Sequence, residues 1–194
     1  MTELPNWFLQ ADGPAIFERH LSSKKGEEIH CLQVGAYKGD ASAWLMENIL
    51  SHPKSTLTDV DTWLGSDEVK MDVLNWNEVE QAYDAQTSSY VEAGRIIKKK
   101  MTSDEFFATK DSEIFYDFIY IDGSHEAVPV LKDGMNAVEA LKVGGILAFD
   151  DYMWDQGKGP AYNPKHAIIA IANCYSNRLN VLEQGYQVWL IKTS

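Results

Sequence analysis

The chain has 194 residues, 45% of them hydrophobic, and no linker-like stretch, which suits a single domain with a full core over 1–194. Its net charge of -12, from 29 acids against 17 bases, argues against nucleic acid or an anionic membrane surface as a partner, because no basic patch offsets the acids. No signal peptide or long apolar span is readable, and Cys31 and Cys174 fall in a predicted strand and a predicted helix, so cytoplasmic residence with buried thiols is expected.

In chain order, the roughly 27 residues before Glu28 carry Trp7, Phe8, Ile16 and Phe17, spaced for one amphipathic helix that packs on a sheet or lids a pocket. Glu28 to Val34 reads as the first strand, and a turn with Gly35 and Gly39 leads into a helix bearing Ala41, Trp44, Leu45 and Ile49, closed by Pro53. Thr56 to Val60 is a second strand ending at Asp61, followed by a polar, mostly helical stretch from Ser66 to about Glu92. Arg95 to Met101 is a third strand and contains the cationic run Lys98, Lys99 and Lys100. Thr102 with Glu105 fits a capping box for a short helix through Phe106 and Phe107.

Two apolar runs then end in carboxylates: Phe118 to Ile121 delivers Asp122, and Ile146 to Phe149 delivers Asp150 and Asp151. Between them Ala127 to Leu141 has helical spacing, with Gly144 and Gly145 expected to stop it. Strand, helix and strand make a right-handed crossover with parallel strands about 4.8 Å apart, so acids at adjacent strand ends can reach one ion or ligand. Asn163 and Pro164 fit the N-cap and first position of a helix through Ile168, Ile169 and Ile171. Asn180 to Leu182 and Tyr186 to Ile191 read as a hairpin around Gln184 and Gly185.

The result is an α/β, Rossmann-like, doubly wound sheet of seven strands with a terminal antiparallel hairpin. From about Glu28 onward the pattern resembles the class I S-adenosylmethionine-dependent methyltransferases. Tyr116 to Trp154, with one strand ending in Asp and the next in Asp-Asp, resembles the metal-dependent small-molecule O-methyltransferases of the catechol, caffeoyl-CoA and macrocin types. The resemblance implies S-adenosylmethionine as cofactor and Mg²⁺ or another divalent cation held by Asp122, Asp150 and Asp151. It implies a cofactor site built from Val34, Gly35, Ala36, Tyr37, Gly39 and Ser42, then Asp61, Thr62 and Trp63, then Thr102 and Ser103, and finally Asp122 and Gly123. Asp61 would accept from the ribose hydroxyls and Thr102 and Ser103 would adjoin the adenine, although a helix cap explains the latter pair equally well.

Asp122 and His125 are the implied catalytic residues. The Asp-Gly-Ser-His wording carries a histidine proposed as base in the macrocin type, but His125 can also line the pocket or bond a backbone carbonyl. The implied substrate is a small hydroxylated molecule such as a sugar or phenol, and an exposed N-terminal apolar segment allows a homodimer. Two readings compete: an NAD(P)-binding oxidoreductase, disfavoured because Gly35 to Gly39 is G-x-x-x-G rather than G-x-G-x-x-G, and a catalytically silent cofactor-binding module.

Overall fold

A computed structural model describes residues 4–65, 74–109, 115–155 and 157–194. Its order is α1 (Trp7–Gln10), α2 (Gly13–Leu21), β1 (His30–Val34), α3 (Asp40–Asn48), β2 (Thr56–Asp61), α4 (Trp76–Glu92), β3 (Ile96–Lys100) and α5 (Ser103–Phe107). There follow β4 (Tyr116–Ile121), α6 (Ala127–Ala140), β5 (Leu141–Phe149), α7 (Pro164–Cys174), β6 (Leu179–Gln184) and β7 (Val188–Lys192). The strands form one seven-stranded sheet in the order β3-β2-β1-β4-β5-β7-β6, parallel except for β7, which runs antiparallel to both neighbours. This is the doubly wound arrangement expected, with its switch point between β1 and β4.

Strand alternation divides the core between two faces. Leu32, Val34, Ile119, Ile121, Leu147 and Phe149 pack with Val130, Ala137, Ile168 and Ile171 of α6 and α7. Their neighbours Cys31, Phe118, Tyr120, Ile146 and Ala148 pack on the other face with Phe17 of α2 and Ala41 and Leu45 of α3. Both faces of the central strands are therefore apolar, which is why those strands read as continuous hydrophobic runs.

Several boundaries differ from the sequence reading. The N-terminal segment is two helices, because Asp12 adopts a left-handed conformation (φ 56°) between them. Gly144 and Gly145 do not stop α6. The helix ends at Ala140, Leu141 already opens β5 opposite Tyr116, and both glycines lie within that strand. The buried Lys192 on β7 donates to the carbonyls of Val138 (2.8 Å) and Leu141 (2.7 Å), supplying partners at the helix end. Tyr186 sits in the hairpin turn rather than in a strand. Cys31 is buried as expected, but Cys174 is exposed, because the last turn of α7 extends beyond the stripe formed by Ala167, Ile168 and Ile171. The stretch expected to be helical from Ser66 begins as α4 at Trp76, and residues 66–73 lie outside the described ones. Among the described residues no helix is long and apolar enough to cross a membrane.

Candidate active site

The parallel ladders continue one residue past the strands. Gly35 N donates to Val60 O (2.9 Å), Asp122 N to Val34 O (2.8 Å) and Asp150 N to Ile121 O (3.0 Å). Asp61, Gly35, Asp122 and Asp150 therefore stand in a row along the carboxyl edge, where ligands bind in open α/β sheets. A cavity of about 1140 Å³ opens over this row. That exceeds the roughly 300–1,000 Å³ of a pocket for one drug-sized ligand, so a cofactor and an acceptor have room together.

The turn after β1 is fixed by two contacts. Gly35 has φ +88°, and a Cβ there would lie 2.1 Å from the Asp122 carbonyl oxygen, so no side chain fits between the β1 and β4 loops. Asp61 Oδ2 accepts from the backbone N–H groups of Ala36 (2.8 Å) and Tyr37 (2.9 Å), and Oδ1 accepts from Trp63 N (2.8 Å). The carboxylate thus shapes the loop as well as facing the cavity. Asp59 points to the same side of β2 but is fully buried, accepting from Tyr83 Oη (2.8 Å), and burial pushes its carboxyl up to about 7.

Of the residues expected to hold cofactor, Val34, Gly35, Tyr37, Asp61, Thr62, Thr102, Ser103, Asp122 and Gly123 line the cavity. Ala36, Gly39, Ser42 and Trp63 do not. Gly39 precedes α3 and faces Tyr83 and Thr87, while buried Ser42 donates to Gln33 Oε1 (3.4 Å). Trp63 is buried against Tyr83 and donates its indole N–H to the Tyr37 carbonyl (2.7 Å), so these residues support the loop from behind. Thr102 forms the complete capping box with Glu105.

Asp122, Asp150 and Asp151 all line the cavity at neighbouring strand ends, and the last two are gripped. Asp150 Oδ2 accepts from the Tyr120 hydroxyl and from Gln187 Nε2 (3.2 Å), and Oδ1 accepts from Asp151 N (2.7 Å). Asp151, left-handed at φ 58°, lies 2.9 Å from His125 Nε2 through Oδ2 and accepts from Tyr186 Oη (2.8 Å) through Oδ1. The His125 ring stacks on Trp154 at 4.6 Å. Burial, followed by repulsion from Asp151, pushes the Asp150 carboxyl up to about 6. Burial and then repulsion from Asp150 and Asp151 raise Asp122 well above the usual carboxylate range, although its side chain is open to the cavity. Among the described residues no three His, Cys, Asp or Glu side chains are already arranged to hold a metal ion.

Sequence reasoning missed Tyr120, Tyr186 and Gln187. Tyr186 and Gln187 are consecutive at the hairpin tip and hold the two adjacent aspartates, and Gln187 Oε1 is itself fixed by Trp189 Nε1 (3.0 Å). The terminal hairpin therefore clamps the site as well as closing the sheet edge. No local pattern reveals the pairings with the aspartates, because they span thirty residues or more.

A seven-stranded sheet with this order, a glycine turn after β1, an acid at the end of β2 and acids at the ends of β4 and β5 define a class I methyltransferase. Residues 32–152 match the family model described as a methyltransferase domain, and the chain belongs to that family. A search of curated protein sequences finds no match. Solved structures share the fold at low identity. One is the O-methyltransferase TomG from Streptomyces achromogenes, in complex with S-adenosylmethionine, at TM-score 0.67 and 10% identity over 95% of this chain and 80% of that one. The methyltransferase MycE of the mycinamycin pathway, in complex with Mg and S-adenosylhomocysteine, matches at TM-score 0.61 and 12% identity over 92% of this chain and 49% of that one. The N-methyltransferase NodS from Bradyrhizobium japonicum matches at TM-score 0.61 and 15% identity, over 97% and 98%.

Proposed function

We propose that this enzyme transfers the methyl group of S-adenosylmethionine to a hydroxyl of a small neutral or cationic molecule, such as a sugar or phenol, with help from a divalent cation. The observation that carries the reading is the composition of the cavity. Asp12, Asp61, Asp122, Asp133, Asp150 and Asp151 line it, and no lysine or arginine does among the described residues. Such a wall attracts a sulfonium and offers no basic side chain to a phosphate- or carboxylate-bearing acceptor. Asp122, Asp150 and Asp151 would hold the cation. They are hard oxygen donors whose charges raise one another, which suits Mg²⁺ in donor type, and Asp150 and Asp151 keep protein hydrogen-bond partners in the present arrangement. A divalent cation held there would lower the pKa of a substrate hydroxyl.

The chain's own residues do the rest. Gly35 lets the backbone approach the cofactor, and Asp61 faces the ribose while holding the loop. His125, oriented by Asp151 and stacked on Trp154, stands where it can take the acceptor proton. Trp7, stacked on Tyr37 at 4.4 Å, covers the cavity and helps exclude water. Most of the acceleration in such a displacement comes from holding acceptor oxygen and methyl carbon in line.

The test supplies methyl-labelled S-adenosylmethionine with matched neutral, amine-bearing and carboxylate-bearing phenols and sugars, with Mg²⁺ or with chelator. Label transfer to neutral or amine-bearing hydroxyl compounds, lost on chelation and in Asp150→Asn, supports the reading. Transfer that chelator leaves unchanged removes the cation, and preferred transfer to carboxylate-bearing compounds removes the electrostatic argument.

A further inference from the structure

The lip of the cavity differs from its interior. Aspartates dominate the charged lining, but at the β4 and β5 end the side chains around the opening are apolar and face solvent. Met153 is 57% exposed, Val128 62% and Tyr186 41%. Large apolar side chains scattered singly over a surface need no explanation, but these three come from separate segments, each of which also lines this one cavity. Trp154 N donates to Asp151 O (2.9 Å), closing a turn that carries Met153. Tyr152 N donates to Tyr186 O (2.9 Å), which ties that turn to the tip of the terminal hairpin. Val128 lies in the first turn of α6, shortly after the loop that carries His125 and beside Pro129, which lines the cavity.

These segments flank His125, whose ring lies on Trp154 (4.6 Å) and whose Nε2 meets Asp151 (2.9 Å). The lip therefore borders the place assigned to the acceptor hydroxyl, away from the ribose end at Asp61. A second copy seated face to face would bring two sets of cavity aspartates together, and with a net charge of -12 on each chain like charges oppose that approach. The same charge opposes an anionic membrane surface. An amphipathic acceptor meets neither obstacle. Its polar end enters over the acids, and its apolar body stays on the lip and removes Val128 and Met153 from water.

Resting on the acceptor site assigned above, we propose that Val128, Met153 and Tyr186 form a subsite for the apolar body of the acceptor, so that the substrate is a hydroxyl compound carrying an alkyl or aryl group outside the cavity. Val128 and Met153 are then specificity-determining residues, and neither belongs to the groups assigned to cofactor, cation or proton.

Calorimetric titration of protein saturated with S-adenosylhomocysteine tests this with butyl and octyl members of two series, alkyl β-glucosides and 4-alkylphenols, each kept below its micelle or solubility limit. A fully buried methylene is worth about fourfold in affinity, so four of them half-covered by the lip give at least about tenfold in favour of the octyl compounds. Val128→Ser combined with Met153→Ser, both at exposed positions, cuts that gain to about threefold or less and leaves S-adenosylhomocysteine affinity unchanged. Leu64→Ser keeps the gain, because Leu64 is 75% exposed but follows β2 at the ribose end. Equal affinity for the two chain lengths in both series overturns the proposal, as does a gain that the double variant keeps or that Leu64→Ser loses equally. A wild-type dimer in sedimentation that the double variant breaks gives the lip to a second copy and also overturns it. Octyl compounds that show the full gain but receive no methyl group from labelled S-adenosylmethionine support the subsite and count against the proposed reaction instead, which separates the two failures.

Discussion

Replacing Asp61 by Asn tests the claim that this carboxylate shapes the loop as well as the ribose site. Its oxygens accept three backbone N–H bonds of 2.8–2.9 Å, from Ala36, Tyr37 and Trp63. An amide has one acceptor oxygen, so either the Trp63 bond or the Ala36 and Tyr37 pair is lost, and an amide donor is turned towards other donors. Bonds to a charged acceptor contribute about 1.5–3 kcal/mol each, so the variant loses about 2–4 kcal/mol of stability after allowance for partial exposure. For a chain of this size that lowers Tm by roughly 5–15 °C. S-adenosylhomocysteine affinity falls at least tenfold, because the turn that approaches the cofactor loosens together with its ribose acceptor. Thermal melting and calorimetry of the same preparation read both effects. A variant that melts within about 1–2 °C of wild type and binds normally would show that Asp61 neither anchors the loop nor meets the ribose.

Gly35→Ala forces a Cβ to 2.1 Å from the Asp122 carbonyl at φ +88°, so it should lose about 2–5 kcal/mol in urea unfolding, whereas Gly144→Ala, with φ +82° but open space around it, loses only about 1–2 kcal/mol. Equal losses would refute the close approach of the two loops. Asp59, raised to about 7 by burial, adds no penalty while protonated at low pH and an increasing one as it ionises, so wild-type stability should fall as pH rises from about 4 to 7. This residue contributes up to about 4 kcal/mol of that fall, and Asp59→Asn should flatten the profile; a slope unchanged in the variant would contradict the assignment. Gln187→Leu strands Trp189 Nε1 and removes one donor to Asp150, so stability should drop by about 1–3 kcal/mol with S-adenosylhomocysteine affinity unchanged. Tenfold weaker binding would mean that the hairpin reaches the cofactor itself.

The parts of this molecule that were readable from sequence are those governed by local chemistry. Apolar runs ending in Asp61, Asp122 and Asp150 mark strands that emerge at one sheet edge, and Thr102 with Glu105 announces its cap because both partners lie within four residues. Glycine misled where its usual meaning was overridden. Gly144 and Gly145 resemble a helix stop, but the sheet recruits Leu141 directly after α6, and the glycines fall inside β5. The break at Asp12 was hidden because a left-handed aspartate leaves no trace in hydrophobic spacing. Asp133 was unreadable for a different reason, since a carboxylate between apolar helix positions normally signals a solvated face. Tyr120, Tyr186 and Gln187 matter only through partners brought near by the sheet order, which periodicity does not encode.

Titration of the purified wild-type protein with S-adenosylhomocysteine, with and without Mg²⁺ and with NADH as control, reads the cofactor assignment without knowledge of the acceptor. Saturable one-to-one binding of S-adenosylhomocysteine and none of NADH is expected. Folded protein that releases no heat with S-adenosylhomocysteine under either condition, or that binds NADH in its place, would contradict it.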